Sequence, residues 1–219
     1  FFFKQKTAYE IKECDWSSDV CSSDLCVRKS LPVNSVAELI AYAKANPGKL
    51  NYASSGIGTQ PHLSGALFNM MAGLDVAHVP YRGAAPSLID LIGGSVDMMF
   101  GTISAIIPHA REGTVKALGI STAKRSALVP EYPAVAETLP GFDATAWFGV
   151  GVRAGTPQAM RDVIERDVRA LCREKAVVDH FAALATETVG SSAAEFSAYI
   201  EGERAKWGKL VREAKIRGE

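Results

Sequence analysis

The chain has 219 residues, 47% of them hydrophobic and 8% aromatic, with 24 basic and 24 acidic side chains. That length suits one large domain or two small ones with a real core, and the balanced charge offers no field for nucleic acid or an anionic membrane. No apolar run approaches the roughly 20 residues that span a bilayer.

Residues 1–25, FFFKQKTAYEIKECDWSSDVCSSDL, have neither a helical nor a strand period. They also lack the basic start, apolar core and small-residue cleavage site of a secretion signal. Phe1–Ile11 and Cys14–Leu25 resemble the translated arms of a sequencing-library adapter, with Lys12 and Glu13 at its variable index. The segment is expected to be non-native and disordered, so the fold is sought from Cys26 onward. Of the four cysteines, this leaves Cys26 and Cys172, which form no CxxC pair and support neither a zinc site nor a redox motif.

Ser35-Val-Ala-Glu38 is a capping-box pattern, and Val36, Leu39, Ile40 and Ala43 then share one helical face until Asn46-Pro47-Gly48 stops it. LNYASS predicts a strand, and Leu63, Leu67, Met70 and Met71 space a second helix ended by Gly73. The unit recurs: VAHVPY a strand, RGAAPS a loop, LIDLIGG a helix opened by Pro86 or Ser87, VDMMFG a strand. ISAIIPHAREG predicts a helix perturbed by Pro108, and VKALGIST a further strand. Strands alternating with helices imply an α/β fold with a parallel sheet and helices on its faces.

AKRSALVPEYPAVAETLPGFD, with Pro130, Pro133, Pro140 and Gly141, predicts a surface excursion, and ATAWFGVGV a returning strand. Thr156-Pro157 starts a helix striped by Met160, Val163, Ile164, Val168 and Leu171. Ser192-Ala-Ala-Glu195 caps a last helix that carries Phe196, Tyr199, Ile200, Trp207, Leu210 and Val211 toward one side.

The chemistry concentrates in SSGIGTQPHL, Ser54–Leu63. A strand-loop-helix unit leaves the first N–H groups of its helix unpaired, glycines allow close approach, and the helix dipole favours an anion. Ser54, Ser55 and Thr59 add hydroxyls. Pro80-Tyr81-Arg82-Gly83-Ala84-Ala85-Pro86-Ser87 has the same build, and a parallel sheet would bring both loops to the strand C-terminal ends. Together they suit a carboxylate; alternatively, both are ordinary tight turns. His62 either touches a ligand or bonds a local carbonyl, and His78 reads as structural.

Other chemistries fit less well. Gly56-Ile-Gly58-Thr-Gln-Pro61 begins like a dinucleotide fingerprint, but Pro61 stands at the third glycine and no acid follows the next strand. Ser54, His62 and Asp97 make a triad only on paper, since no GxSxG elbow presents the serine. The scattered histidines suggest no metal, and no cofactor is implied.

SSGIGTQPHLSG followed by HVPYRGAAPSLIDLIGGSVDMMF resembles the substrate-binding proteins of tripartite tricarboxylate transporters, the Bug family. The likeness continues through VKALGISTAKRS, PAVAETLPGF, TAWFGV, AGTP and EFSAYIEGERAKWGKLV. It implies a type II periplasmic-binding-protein fold, a two-lobed Venus flytrap that captures small carboxylates in the periplasm and delivers them to membrane transporter subunits, without catalysis. The positions it implies for the ligand are Ser54, Ser55, Gly56, Gly58, Thr59 and His62 in one loop, and Tyr81, Arg82, Gly83 and Ala84 in the other.

Two departures shape the expectation. The glycine-rich PFxxGG-like loop that usually opens the first lobe is missing, and Phe100-Gly101-Thr102 stands where many relatives carry FDN. Residues 26–144 are therefore expected to form the second lobe and 145–219 the returning strand and helices of an incomplete first lobe. Crossovers near Leu31 and Thr145–Phe148 would be the hinge, and an unfilled sheet edge with exposed apolar surface would follow. Rival readings are an enzyme acting on a phosphorylated or acyl substrate at Ser54–His62, marked by a hydroxyl within reach of an oriented histidine, and a solute-sensing lobe of a signalling system.

Overall fold

A computed structural model describes residues 23–216. The elements in chain order are β1 (Ser23–Arg28), α1 (Val36–Ala45), β2 (Asn51–Ser54), α2 (Gln60–Ala72), β3 (Ala77–Pro80), α3 (Ala84–Gly93), β4 (Met98–Thr102), α4 (Ile103–Arg111), β5 (Val115–Ile120), α5 (Gln158–Leu171), α6 (Lys175–Ala183) and α7 (Ala193–Glu213). The strands form one sheet in the order β3-β2-β4-β1-β5.

Strand β1 corrects two expectations. It begins at Ser23, so the last three residues of the segment set aside as adapter-like belong to the sheet; the rest of that segment lies outside the described residues. It also runs antiparallel to both neighbours, pairing Cys26 with Met99 on β4 and Val27 with Lys116 on β5. β2 is parallel to β3 and β4. One reversed strand in an otherwise parallel sheet is invisible to hydrophobic periodicity, which records faces and not direction.

The alternation of β1 explains the layering. Leu25 and Val27 face a core shared with Leu39 of α1, Phe68 of α2, Phe100 of β4, Phe142 and Leu210 of α7. Cys26 faces the opposite side, with Ala53, Leu91 of α3, Met99 and Ile106 of α4. Phe68, Phe100 and Phe142 form a triangle with ring centroids 6.0, 6.3 and 6.2 Å apart. A Cβ on Gly65 would lie 2.2 Å from the Tyr52 ring, so a glycine there lets α2 approach the sheet.

The helix caps follow the sequence with one shift. Ser35 accepts from Glu38 N–H as expected, but the Glu38 carboxylate accepts from Asn34 N–H. At α7, Ser192 and Glu195 complete a reciprocal box. α3 starts at Ala84, with Pro86 in its first turn, and α4 continues through Pro108.

Among the described residues no strand forms at ATAWFGVGV, and residues 142–153 are irregular. Trp147 instead lies edge-on to Phe196 and Tyr199 of α7, at 5.3 and 5.6 Å. Sequence reading also missed α6. Neither α5 nor α6 buries a residue, although α5 carries the predicted apolar stripe.

Candidate functional site

β2 and β3 end side by side, with Ser54 opposite Pro80, and the two loops continue the pairing beyond the strands. Tyr81 N–H donates to Ser54 C=O at 2.9 Å and Gly83 N–H to Ser55 C=O at 3.2 Å. The loops expected to act together are in contact. Gly56, Gly58 and Gly83 hold φ of 141°, 76° and 115°, conformations that side chains resist, which is why glycine stands there.

Many of the expected ligand donors are, however, used by the protein itself. Ser54 is fully buried, and its hydroxyl oxygen accepts from Gly56 N–H at 3.2 Å. Gly58 N–H donates to His62 Nδ1 at 3.0 Å, and the Thr59 hydroxyl donates to Gly56 C=O at 2.7 Å. Thr59 N–H lies 3.4 Å from Gly56 C=O. The Tyr81 hydroxyl donates to Asp90 at 2.6 Å, a bond that pushes the phenol up to about 12. Ser54, Gly56, Gly58, Thr59, His62, Tyr81 and Gly83 thus build the frame.

What that frame offers is narrower. The N–H groups of Ser55 and Ile57 meet no acceptor among the described residues. Ala84 and Ala85 open α3, where first-turn N–H groups have no intrahelical acceptor. Arg82 is exposed beside them and makes no ion pair among the described residues.

Beneath the first loop lies a pair of imidazoles. His62 and His78 stack with centroids 3.9 Å apart and planes 5° from parallel, and Tyr52 covers His78 at 4.8 Å. His78 Nε2 is 2.7 Å from Ser54 Oγ. Burial lowers both imidazoles, and the neighbouring His62 helps bring His78 to about 4. Sequence offered no mark of this stack, because the register that sets Tyr52 beside His78 is fixed only when β2 and β3 pair.

The Ser54–His78 contact satisfies the geometric mark of the enzyme reading, but not its chemistry. The serine is sealed from solvent, and rings rather than a carboxylate orient its histidine. Asp97 does not join them. It sits at the opposite, N-terminal edge of the sheet, accepting from Arg28 Nε at 2.8 Å and from Asn51 N–H at 3.0 Å. Among the described residues no group of three or more His, Cys, Asp or Glu could hold a metal.

Two contacts near the site escaped sequence reading. The Gln60 side-chain amide, at the first position of α2, donates to Ala144 C=O. Ser121 donates to the same carbonyl at 3.2 Å, so the loop-bearing helix is tied to the start of the irregular segment. Asp24, opposite Gly101 and Ile120, is 2% exposed, and its Oδ1 meets no donor among the described residues. Burial pushes its carboxyl well above the ordinary range.

A mixed sheet with one reversed inner strand and two joined loops at the C-terminal ends of β2 and β3 has the type II periplasmic-binding-protein fold of its solved relatives. Residues 3–216 match the tripartite tricarboxylate transporter family receptors, and the chain belongs to that family. The match takes in most of the segment that its likeness to adapter sequence had set aside.

Several relatives give the scale of the likeness. BugT of Bordetella pertussis is 33% identical over 190 residues, 86% of this chain and 58% of the relative. Rpa4515 of R. palustris, solved with adipate, is 35% identical with a TM-score of 0.81, covering 90% of this chain and 66% of that one. MatC from Rhodopseudomonas palustris, solved with bound malate, is 28% identical with a TM-score of 0.74, covering 87% and 66%. The chain therefore spans between half and two thirds of the length of these relatives.

Proposed function

We propose that the chain carries the carboxylate-gripping loops of a non-enzymatic periplasmic solute-binding protein serving a tripartite tricarboxylate-type transporter. The observation that carries this reading is the pair of joined loops whose Ser55, Ile57, Ala84 and Ala85 N–H groups remain for a ligand. Arg82 stands at their rim. Neutral donors at a helix start hold a carboxylate by several modest bonds, so affinity depends on their number and on exclusion of water. The adipate and malate in the related structures support a small aliphatic acid as the ligand class.

The reading extends to organisation. The lobe that presents the loops runs from β1 to Ala144 and takes in the Leu210 end of α7, whereas residues 145–192 belong with a second lobe that closes over the ligand. Pivots lie near Leu31 and Thr145–Phe148. The apolar stripe left uncovered on α5 supports this, because such a stripe implies a packing partner.

Calorimetry tests the site. Adipate and malate should give saturable heat, whereas the diamide of adipate should give none. Ala84→Pro removes one ligand-facing N–H at the helix position that tolerates proline best; it should weaken binding about tenfold with the fold intact. Binding of the diamide as tightly as the diacid, or no effect of Ala84→Pro, would refute the amide grip.

A further inference from the structure

The anion loop contains two glycines in conformations that other residues resist, and each is pinned by one side chain. Ser54 Oγ accepts from Gly56 N–H at 3.2 Å and lies 3.1 Å from Gly56 C=O. His62 Nδ1 accepts from Gly58 N–H at 3.0 Å. These two clamps come from different elements, the end of β2 and the first turn of α2. They are joined through His78 on β3, which bonds Ser54 Oγ at 2.7 Å and stacks on His62 at 3.9 Å.

We infer that His62 and His78 act as one positioning unit, a neutral stacked pair that locks the turn through residues 54–59 and so presents the Ser55 and Ile57 N–H groups to an anion. The unit works only without added protons. A proton on His62 Nδ1 would meet Gly58 N–H instead of accepting from it, and two cationic rings at this spacing repel. The titratable groups against the pair are Tyr52 from β2 and the partner imidazole of each ring. Among the described residues no carboxylate, lysine or arginine is hydrogen-bonded or ion-paired to either ring, and burial lowers both below the usual histidine range. The loop therefore stays locked in mildly acidic solution and gives way when the pair takes up protons.

This inference rests on the carboxylate-binding reading above for its purpose, and its test is arranged to stand apart from it. Nitrogen-15 imidazole and amide spectra of the ligand-free chain are followed from pH 8 to pH 3. His62 should show an unprotonated Nδ1 at neutral pH. The Gly56 and Gly58 amides should shift with the same midpoint as the imidazoles, below the ordinary histidine value. His62→Phe keeps a stacking ring but no acceptor; it should abolish the joint transition at Gly58 and lower adipate affinity about tenfold. His62→Asn, whose amide oxygen restores an acceptor, should recover part of that loss. Glycine amides that ignore imidazole titration, or full adipate affinity in His62→Phe, would overturn the positioning role. A joint transition with no adipate heat at any pH would leave the pair standing and count against the proposed ligand.

Discussion

The sheet-bearing half of the molecule and the helices that follow it are built on opposite terms. Between Leu25 and Ala144, strands and helices seal a common interior around Phe68, Phe100 and Phe142. Between residues 145 and 192, α5 and α6 bury nothing, and Met160 and Leu171 of the α5 stripe remain 57% and 49% exposed. α7 stands between these extremes. Leu210 reaches the main core, and Glu203 accepts from Trp207 at 2.7 Å while pairing with Lys206. An amphipathic pattern specifies a helix and its inward face, but only a sheet or another helix across that face turns the pattern into stability.

The contrast can be broken or sharpened by measurement. The largest effect is expected at the aromatic triangle: Phe100→Ala should cost about 3–5 kcal/mol in urea unfolding. A cost below about 1 kcal/mol would mean that the sheet is not the stabilising half.

Asp24 should act in the other direction. Its carboxyl is raised by burial, so the unfolded chain releases the proton at lower pH than the folded one. Stability is therefore lost as pH rises above the ordinary aspartate value. Asp24→Asn should add on the order of 2 kcal/mol at pH 7 and flatten that dependence. A loss of stability would show that the carboxylate is paired. For His78, lowered to about 4, the sign is opposite: stability should fall as pH drops from the usual histidine value toward 4, because only the unfolded chain takes the proton there.

Smaller effects belong to the helices. Ser192→Ala removes one side of the α7 box and should cost about 1 kcal/mol. Met160→Ala should change global stability by less than about 0.5 kcal/mol. Hydrogen exchange should find α5 and α6 opening well before β1 and β4. Equal protection across both halves would erase the distinction.

Much of the sheet half was legible because its punctuation is local. Gly73 closes α2 in the left-handed conformation, Ser35 caps α1, and the four strands from Asn51 to Ile120 fall where apolar runs meet glycine or proline. β1 was not legible: Asp24 and Leu25 follow a segment without period and were judged with it, and no strand was expected over the remaining Cys26–Arg28. Its direction was hidden for a different reason, since pairing polarity is a tertiary property. ATAWFGVGV has strand composition but pairs with no edge among the described residues, and Trp147 packs on α7 instead.

The site divides in the same way. That the two loops meet could be read from the strand-loop-helix pattern. Which amides remain for a ligand could not, because the answer depends on where Ser54, His62 and His78 converge from three separate elements. Glycine spacing marks a loop able to grip an anion. Only the surrounding side chains decide which of its hydrogens are left to do so.

The reversed inner strand also bears on the order in which the chain assembles. Cys26 bonds the Met99 carbonyl 73 positions further along, and β5 follows later still. During synthesis β1 must wait with both edges unpaired until Met98–Thr102 has emerged, and with one edge unpaired until Val115–Ile120 follows, while β2 and β3, joined by one short crossover, can already associate. Such distant pairing makes its insertion the slow step of folding, and until then a ribbon of Leu25, Cys26 and Val27 is open to misplaced partners.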